Sequence, residues 1–194
     1  RVDLSAKVKL LRCGARDTCH IRVDIDSNAR VPDRTAAMLA GGKDPVPERA
    51  SALRSREACG ASGVIMPCNT AHYFLPRLQA MTKLPFISML EATAKTCAAQ
   101  YPGRTAAVLA TKGTLATGLY EQALAAQNVR CLIPDAGEQD VLMHLIYDIV
   151  QASRPLPPEE GTWQRLLAAL RARAPAHFIP GCPHLPILPA TPPP

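Results

Sequence analysis

Aromatic residues are scarce in this chain: three Phe, four Tyr and one Trp among 194 residues, 4% in all. Dense basic runs are missing too, although the formal net charge is +6. Nucleic-acid modules combine clustered Lys and Arg with aromatic stacking residues. Here the cations are scattered, so no nucleic-acid partner is expected, and the field suits attraction of a small anion. No apolar run approaches the roughly 20 residues of a spanning helix, and no leader pattern opens the chain, so no membrane partner is expected. The seven cysteines are odd in number and form no CxxC pair. That argues against a disulfide framework and for reduced thiols in a cytoplasmic protein. The chain opens on Arg1 instead of Met, from which a cut or lost N-terminus is expected.

What is present is a core-forming composition, 47% hydrophobic, with 19 prolines of which six fall between Pro183 and Pro194. Apolar spacing predicts a helix over Val2–Leu11, and alternation in HIRVDID (Ile21, Val23, Ile25) predicts a strand. SNARVPDRT reads as a loop, followed by a short helix at Ala36–Leu39 that ends at Gly41-Gly42, and a helix over Pro47–Ala58. Strands are then expected at GVIM, PFISML, TAAVLA, VRCLI and HFI. Helices between them are expected after CNTAH, around Glu91–Gln100, over GLYEQALAAQ, at Gln139–Gln151 and at Thr162–Arg173. Short apolar strands alternating with amphipathic helices predict βαβ units and parallel sheets.

Ligands of such sheets sit beyond the carboxyl ends of the strands, where helix N-termini offer free amides. Three turns have that placement: PCNTAH, ATKGT and PGCPH. Cys68 and Cys182, 114 residues apart, occupy two of them. A thiol at a helix N-terminus is expected to have its pKa lowered, giving a base usable near neutral pH. Two opposed thiols would remove a proton from one face of a carbon and return one to the other. Cys97 and Cys131 read as packing residues; Cys13, Cys19 and Cys59 carry no assignment. A metal set of Cys68, His72, Cys182 and His184 is conceivable, but none is expected, and His72 reads as a packed or capping residue.

MPCNTAHYF, NARVPDRTAAML, VLATKGTLATGLY and GCPHLPI, in that order, resemble the aspartate/glutamate racemase family across nearly the whole chain. The resemblance implies a cofactor-independent amino-acid racemase whose partner is a small amino acid or dicarboxylate, commonly assembled as a homodimer. It implies two similar Rossmann-like α/β domains related by a pseudo-twofold, with the active site in the cleft between them. The expected bounds are 1–97 plus 181–194 for the first and 98–180 for the second. Carried over by position, Cys68 and Cys182 are the catalytic pair. Arg34, Asn69, Thr70, Ala71 and Thr114 are the substrate-binding residues. Taken alone, Arg34 could equally be a solvated loop charge, and Asn69 and Thr70 a helix cap.

Four departures from the family pattern stand out. The opening strand with its GGMGP-like turn is expected to be missing from the first domain. Pro183 and His184 replace the Thr and Glu of a GCTEL motif, leaving His184 as a possible polar neighbour of Cys182. Gln151 replaces a carboxylate-binding lysine. LPILPATPPP replaces a C-terminal helix and is expected to be a loose or extended end. Two alternatives to racemisation stay open: a non-catalytic carboxylate-binding member, and a decarboxylase or cis–trans isomerase of small diacids.

Overall fold

The computed structural model describes residues 22–154, 161–173 and 175–188. The helix expected at Val2–Leu11, the expected loss of an opening strand, and Cys13 and Cys19 lie outside the described residues. Two parallel sheets organise the rest. β1 (Val64–Ile65) pairs with β2 (Phe86–Ile87). The second sheet runs in the order β4 (Arg130–Leu132), β3 (Thr105–Leu109), β5 (His177–Pro180), with both pairings parallel. α1 (Arg34–Leu39) and α2 (Val46–Ala58) precede β1, and α3 (Leu75–Gln79) crosses from β1 to β2. α4 (Met89–Gln100) joins the two sheets, and α5 (Lys112–Ala116) and α6 (Leu119–Ala125) cross from β3 to β4. α7 (Ala136–His144) and α8 (Thr162–Ala172) lie between β4 and β5. The fold is α/β with parallel sheets.

The second sheet is buried on both faces, which is why TAAVLA is an unbroken apolar run. Ala106 and Val108 pack with Leu90 and Ala94 of α4 and with Tyr120 and Leu124 of α6. Leu109 points the other way, to Leu142 of α7 and Leu166 and Leu170 of α8, as the two-residue strand period requires. α8 buries Trp163, Leu166, Leu167 and Leu170 along one stripe. At about 1.5–3 kcal/mol per buried large apolar side chain, that stripe is ample to hold α8 on the sheet. Beneath β1 and β2 a smaller cluster joins Val46 and Leu53 of α2 to Met66, Ala71, Phe74 and Leu78.

Several expectations are corrected. The described part of HIRVDID forms no strand: Val23 and Ile25 are 44% and 49% exposed, and alternation without a partner strand makes no ladder. PFISML is a strand only at Phe86–Ile87, because the Ser88 hydroxyl accepts the Glu91 N–H and starts α4 at Met89. The TKGT turn is helical: Thr111 caps α5 by accepting the Thr114 N–H. Gly118, at φ 65°, separates α5 from α6, since the left-handed region admits glycine at little cost. The helix expected over Gln139–Gln151 begins earlier, at Ala136, behind a capping box of Asp135 and Glu138. It continues from Leu145 to Gln151 as a π-helix. The tail is not loose where it is described: Leu185–Ile187 form a 3-10 turn, and Leu185 and Leu188 are buried in the cluster that holds Leu109 and Cys182.

Candidate active site

Beyond the carboxyl ends of β1, β3 and β5 lies one cavity of about 150 Å³, room for roughly five waters at ~30 Å³ each. Its walls come from distant parts of the chain: Asp33, Arg34 and Thr35 at the start of α1; Pro67, Cys68, Asn69 and Thr70 after β1; and Thr111 after β3. Tyr147 and Gln151 of the π-helix and Gly181, Cys182, Pro183 and His184 after β5 complete it. Because β4 and β5 flank β3 on opposite sides, the Thr111 and Cys182 turns sit at the point where the connections diverge, the usual crevice of an open α/β sheet.

Five of the sequence-predicted site residues, Arg34, Cys68, Asn69, Thr70 and Cys182, therefore line a single cavity. Ala71 and Thr114 stand behind it. Ala71 is fully buried in the cluster under β1, and Thr114 bonds to Thr70, hydroxyl to hydroxyl, at 2.7 Å. Thr111 lies 3.1 Å from both Thr70 and Thr114, closing a triangle of three buried hydroxyls.

Two donors on the wall are unspent. The Arg34 Nη1 donates to the Pro32 carbonyl at 3.2 Å, while its Nε is buried without a partner. Asn69 is 2% exposed, and its Oδ1 accepts the Tyr120 hydroxyl at 2.9 Å. That bond orients the amide and leaves Nδ2 buried and unpartnered. Burial raises the Tyr120 pKa, with Thr93 hydrogen bonding against the shift, so the phenol stays protonated and donates. Buried unsatisfied donors are costly and rare; a guanidinium N–H and an amide N–H beside one cavity are suited to anionic oxygens.

The two thiols differ. Cys68 is partly buried and packs on the cluster under β1, and its carbonyl accepts the His72 Nδ1–H at 3.0 Å. His72 Nε2 accepts the Met89 N–H at 3.3 Å, so both ring nitrogens are committed to protein partners. Cys182 is 5% exposed. Burial pushes its thiol up and the nearby charge of Cys68 adds to this, against the amides of His184 and Leu185 and the charge of Arg34. The lowering expected for this turn is thus overturned by desolvation. His184 Nδ1 lies 3.6 Å from the Cys182 sulfur. Among the described residues, no group of three or more His, Cys, Asp or Glu side chains is arranged to hold a metal ion.

The family model for Asp/Glu/Hydantoin racemases matches residues 10–191. The chain belongs to that family. Its fold also matches the aspartate racemase of Picrophilus torridus, with a TM-score of 0.79 at 21% identity over 97% of this chain and 78% of that one. Glutamate racemase from Francisella tularensis, in complex with D-glutamate, gives 0.58 at 18% identity over 82% of this chain and 57% of its own. The broad specificity amino-acid racemase RacX of Bacillus subtilis is 27% identical over 118 residues, 61% of this chain. The chain spans about half the length of that curated relative.

The racemase-family motifs do not account for the whole site. Tyr147 lines the cavity, and its hydroxyl lies 3.2 Å from both Asp33 Oδ2 and Thr35 Oγ1. It secures α1 from the far side, while Asp33 Oδ1 caps α1 through the Ala36 N–H. Tyr120 closes the VLATKGTLATGLY run and Tyr147 stands four residues before Gln151, but neither receives a role from the sequence. Thr111, within ATKGT, carries a signal: a hydroxyl directly after a buried strand.

Proposed function

We propose that the chain is a cofactor-independent racemase of an acidic amino acid, aspartate or glutamate, acting through Cys68 and Cys182. The observation carrying this is that two thiols 114 residues apart line one cavity with Arg34, Asn69 and Thr70. The α-carboxylate takes the Arg34 and Asn69 donors. Cys68 as thiolate removes the α-proton: the Cα–H bond breaks, an S–H bond forms, and the electron pair spreads onto the α-carboxylate. The same donors stabilise that growing charge. Cys182 keeps its proton when buried and delivers it to the opposite face, with His184 and two amides receiving the resulting thiolate. The reverse reaction exchanges the roles. Assembly as a homodimer and a cytoplasmic location belong to the same proposal, and sedimentation velocity checks the first.

The test is α-hydrogen exchange in deuterated water, with chiral chromatography of aspartate and glutamate. Wild-type protein is expected to exchange and racemise both enantiomers. Cys68→Ser and Cys182→Ser are each expected to cut racemisation by at least about a hundredfold, the usual worth of one acid–base group. No exchange with either acid, in protein shown to be folded, defeats the proposal. Gln151 and Pro183 on the cavity wall, where the family pattern has Lys and Thr, favour one alternative: a carboxylate-binding member without turnover. Binding without exchange would establish that instead.

A further inference from the structure

An amino acid carries an ammonium as well as a carboxylate on its α-carbon, and the Arg34 and Asn69 donors hold only the carboxylate. An ammonium has three N–H donors and no acceptor, so the wall must offer it oxygen acceptors. Most are already engaged. The Asn69 Oδ1 accepts the Tyr120 hydroxyl, and the Cys68 carbonyl accepts the His72 ring N–H. The Thr70 and Thr111 hydroxyls lie in a closed triangle with Thr114, and Gln151 adds only an uncharged amide.

Asp33 is different. Among the described residues lining the cavity it supplies the only carboxylate, on an exposed residue at the mouth. A carboxylate offers about four acceptor sites on its two oxygens. The Ala36 N–H takes one on Oδ1 at 2.6 Å, and the Tyr147 hydroxyl takes one on Oδ2 at 3.2 Å. Those contacts hold the group in place and leave each oxygen able to accept once more. Neither Asp33 nor Arg34 takes part in an ion pair among the described residues; Arg34 donates to the Pro32 carbonyl instead. Two consecutive residues thus present opposite charges to one cavity without neutralising each other. A zwitterion, with both charges on one carbon, is the complementary ligand.

We propose that Asp33 binds the substrate ammonium and makes the site select amino acids over diacids that lack the amino group. This deepens the racemase proposal and rests on it for the class of ligand. With the ammonium on Asp33 and the α-carboxylate on Arg34 and Asn69, two of the four substituents of the α-carbon are held. The other two, hydrogen and side chain, are the ones whose places differ between the enantiomers. The same carboxylate works against the wrong ligand. Where aspartate brings an ammonium, succinate brings only hydrogen, and its two negative charges meet Asp33 uncompensated.

The test is isothermal titration calorimetry with aspartate and succinate, and with glutamate and glutarate, pairs that differ only in the amino group. Wild type is compared with Asp33→Asn. Asparagine caps a helix about as well as aspartate, so this variant keeps the start of α1 and removes the charge. Thermal melts verify folding, and Asp33→Ser, another capping residue, takes its place if Asp33→Asn does not fold. Wild type is expected to bind the amino acid of at least one pair about tenfold or more tighter than its amino-free counterpart, the usual worth of one charge-assisted hydrogen bond. Asp33→Asn is expected to lose about tenfold for that amino acid, while the counterpart stays within about threefold or binds tighter. An equal loss for both ligands would make Asp33 a helix cap and nothing more, and no loss for either would put the ammonium elsewhere. Both results overturn the proposal, as does a wild type that binds none of the four or shows no preference within a pair. A preference that depends on Asp33, in protein that exchanges no α-hydrogen, supports the ammonium site and defeats only the turnover proposed above.

Discussion

His72 ties the Cys68 turn to the start of α4 through a ring that must stay neutral: Nδ1–H donates to the Cys68 carbonyl and Nε2 accepts from Met89. Burial lowers its pKa, opposed by hydrogen bonds to the turn and by Glu91, and reinforced by Arg49. The unfolded chain binds this proton below its ordinary pKa of 6.5, whereas the folded protein does so only at lower pH. Stability is therefore full above about pH 6.5 and falls with pH toward the folded value, by at most about 1.4 kcal/mol per pH unit for one proton. His177, also lowered by burial, contributes with the same sign. His72→Phe is expected to be less stable at pH 7.5, having lost both bonds, yet to lose less further stability by pH 5.5. Thermal or denaturant melts across that range check it, and an unchanged pH slope would show that His72 is not the titrating group. At this scale Cys68 and Thr70 were legible in the PCNTAH turn after β1, and Arg34 in the PDRT motif that opens α1. Tyr120 and Tyr147 were not: their partners Asn69 and Asp33 are 51 and 114 residues away, and no local pattern encodes that proximity.

At the scale of elements, α5 approaches α1 so closely that Gly113 has no room for a side chain. A Cβ there would lie 2.6 Å from Thr35 Oγ1 and 3.0 Å from its Cβ and Cγ2. Thr35 is neighbour to Arg34 and hydrogen bonds with Tyr147, so a methyl group at 113 must displace the start of α1 or α5 itself. Gly113→Ala is expected to cost about 1–3 kcal/mol through overpacking and to weaken carboxylate binding more than a surface Gly→Ala change does. Melts together with KM for the exchanged amino acid check both parts; unchanged KM would mean that α1 does not register through this contact. Helix positions were legible from 3.6-residue spacing, as at α2 and α8. Strand lengths and the π-helix were less so. β1 and β2 keep two residues each: Pro67 follows one residue after β1, and the Ser88 cap of α4 follows β2 at once. The buried Leu145, Ile146 and Ile149 satisfy an α-helical pattern as readily as the wider π turn that presents Tyr147 and Gln151 to the cavity.

Across the whole molecule, the contacts joining the first sheet's turns to the second sheet gather around the cavity: Thr70 with Thr111 and Thr114, Asn69 with Tyr120, and Asp33 with Tyr147. A ligand held by Arg34 and Asn69 on one side and the Cys182 turn on the other would bridge the same seam, so binding should stabilise the molecule as a unit. Ligand at a hundred times its Kd contributes about 2.7 kcal/mol, which for a chain of this size is roughly 5–10 °C in Tm. Aspartate or glutamate is expected to produce such a shift in wild type and also in the Cys68→Ser/Cys182→Ser double variant, which should exchange no α-hydrogen. The serine pair separates holding from chemistry, because the carboxylate donors are not the sulfurs. A shift in both proteins, with exchange in wild type alone, assigns binding to the Arg34–Asn69 wall and turnover to the thiols. A shift without exchange in either marks a binder whose altered wall at Gln151 and Pro183 no longer supports turnover. No shift with any acidic or neutral amino acid would mean that the seam is closed by its own hydroxyl and phenol contacts and receives no such ligand.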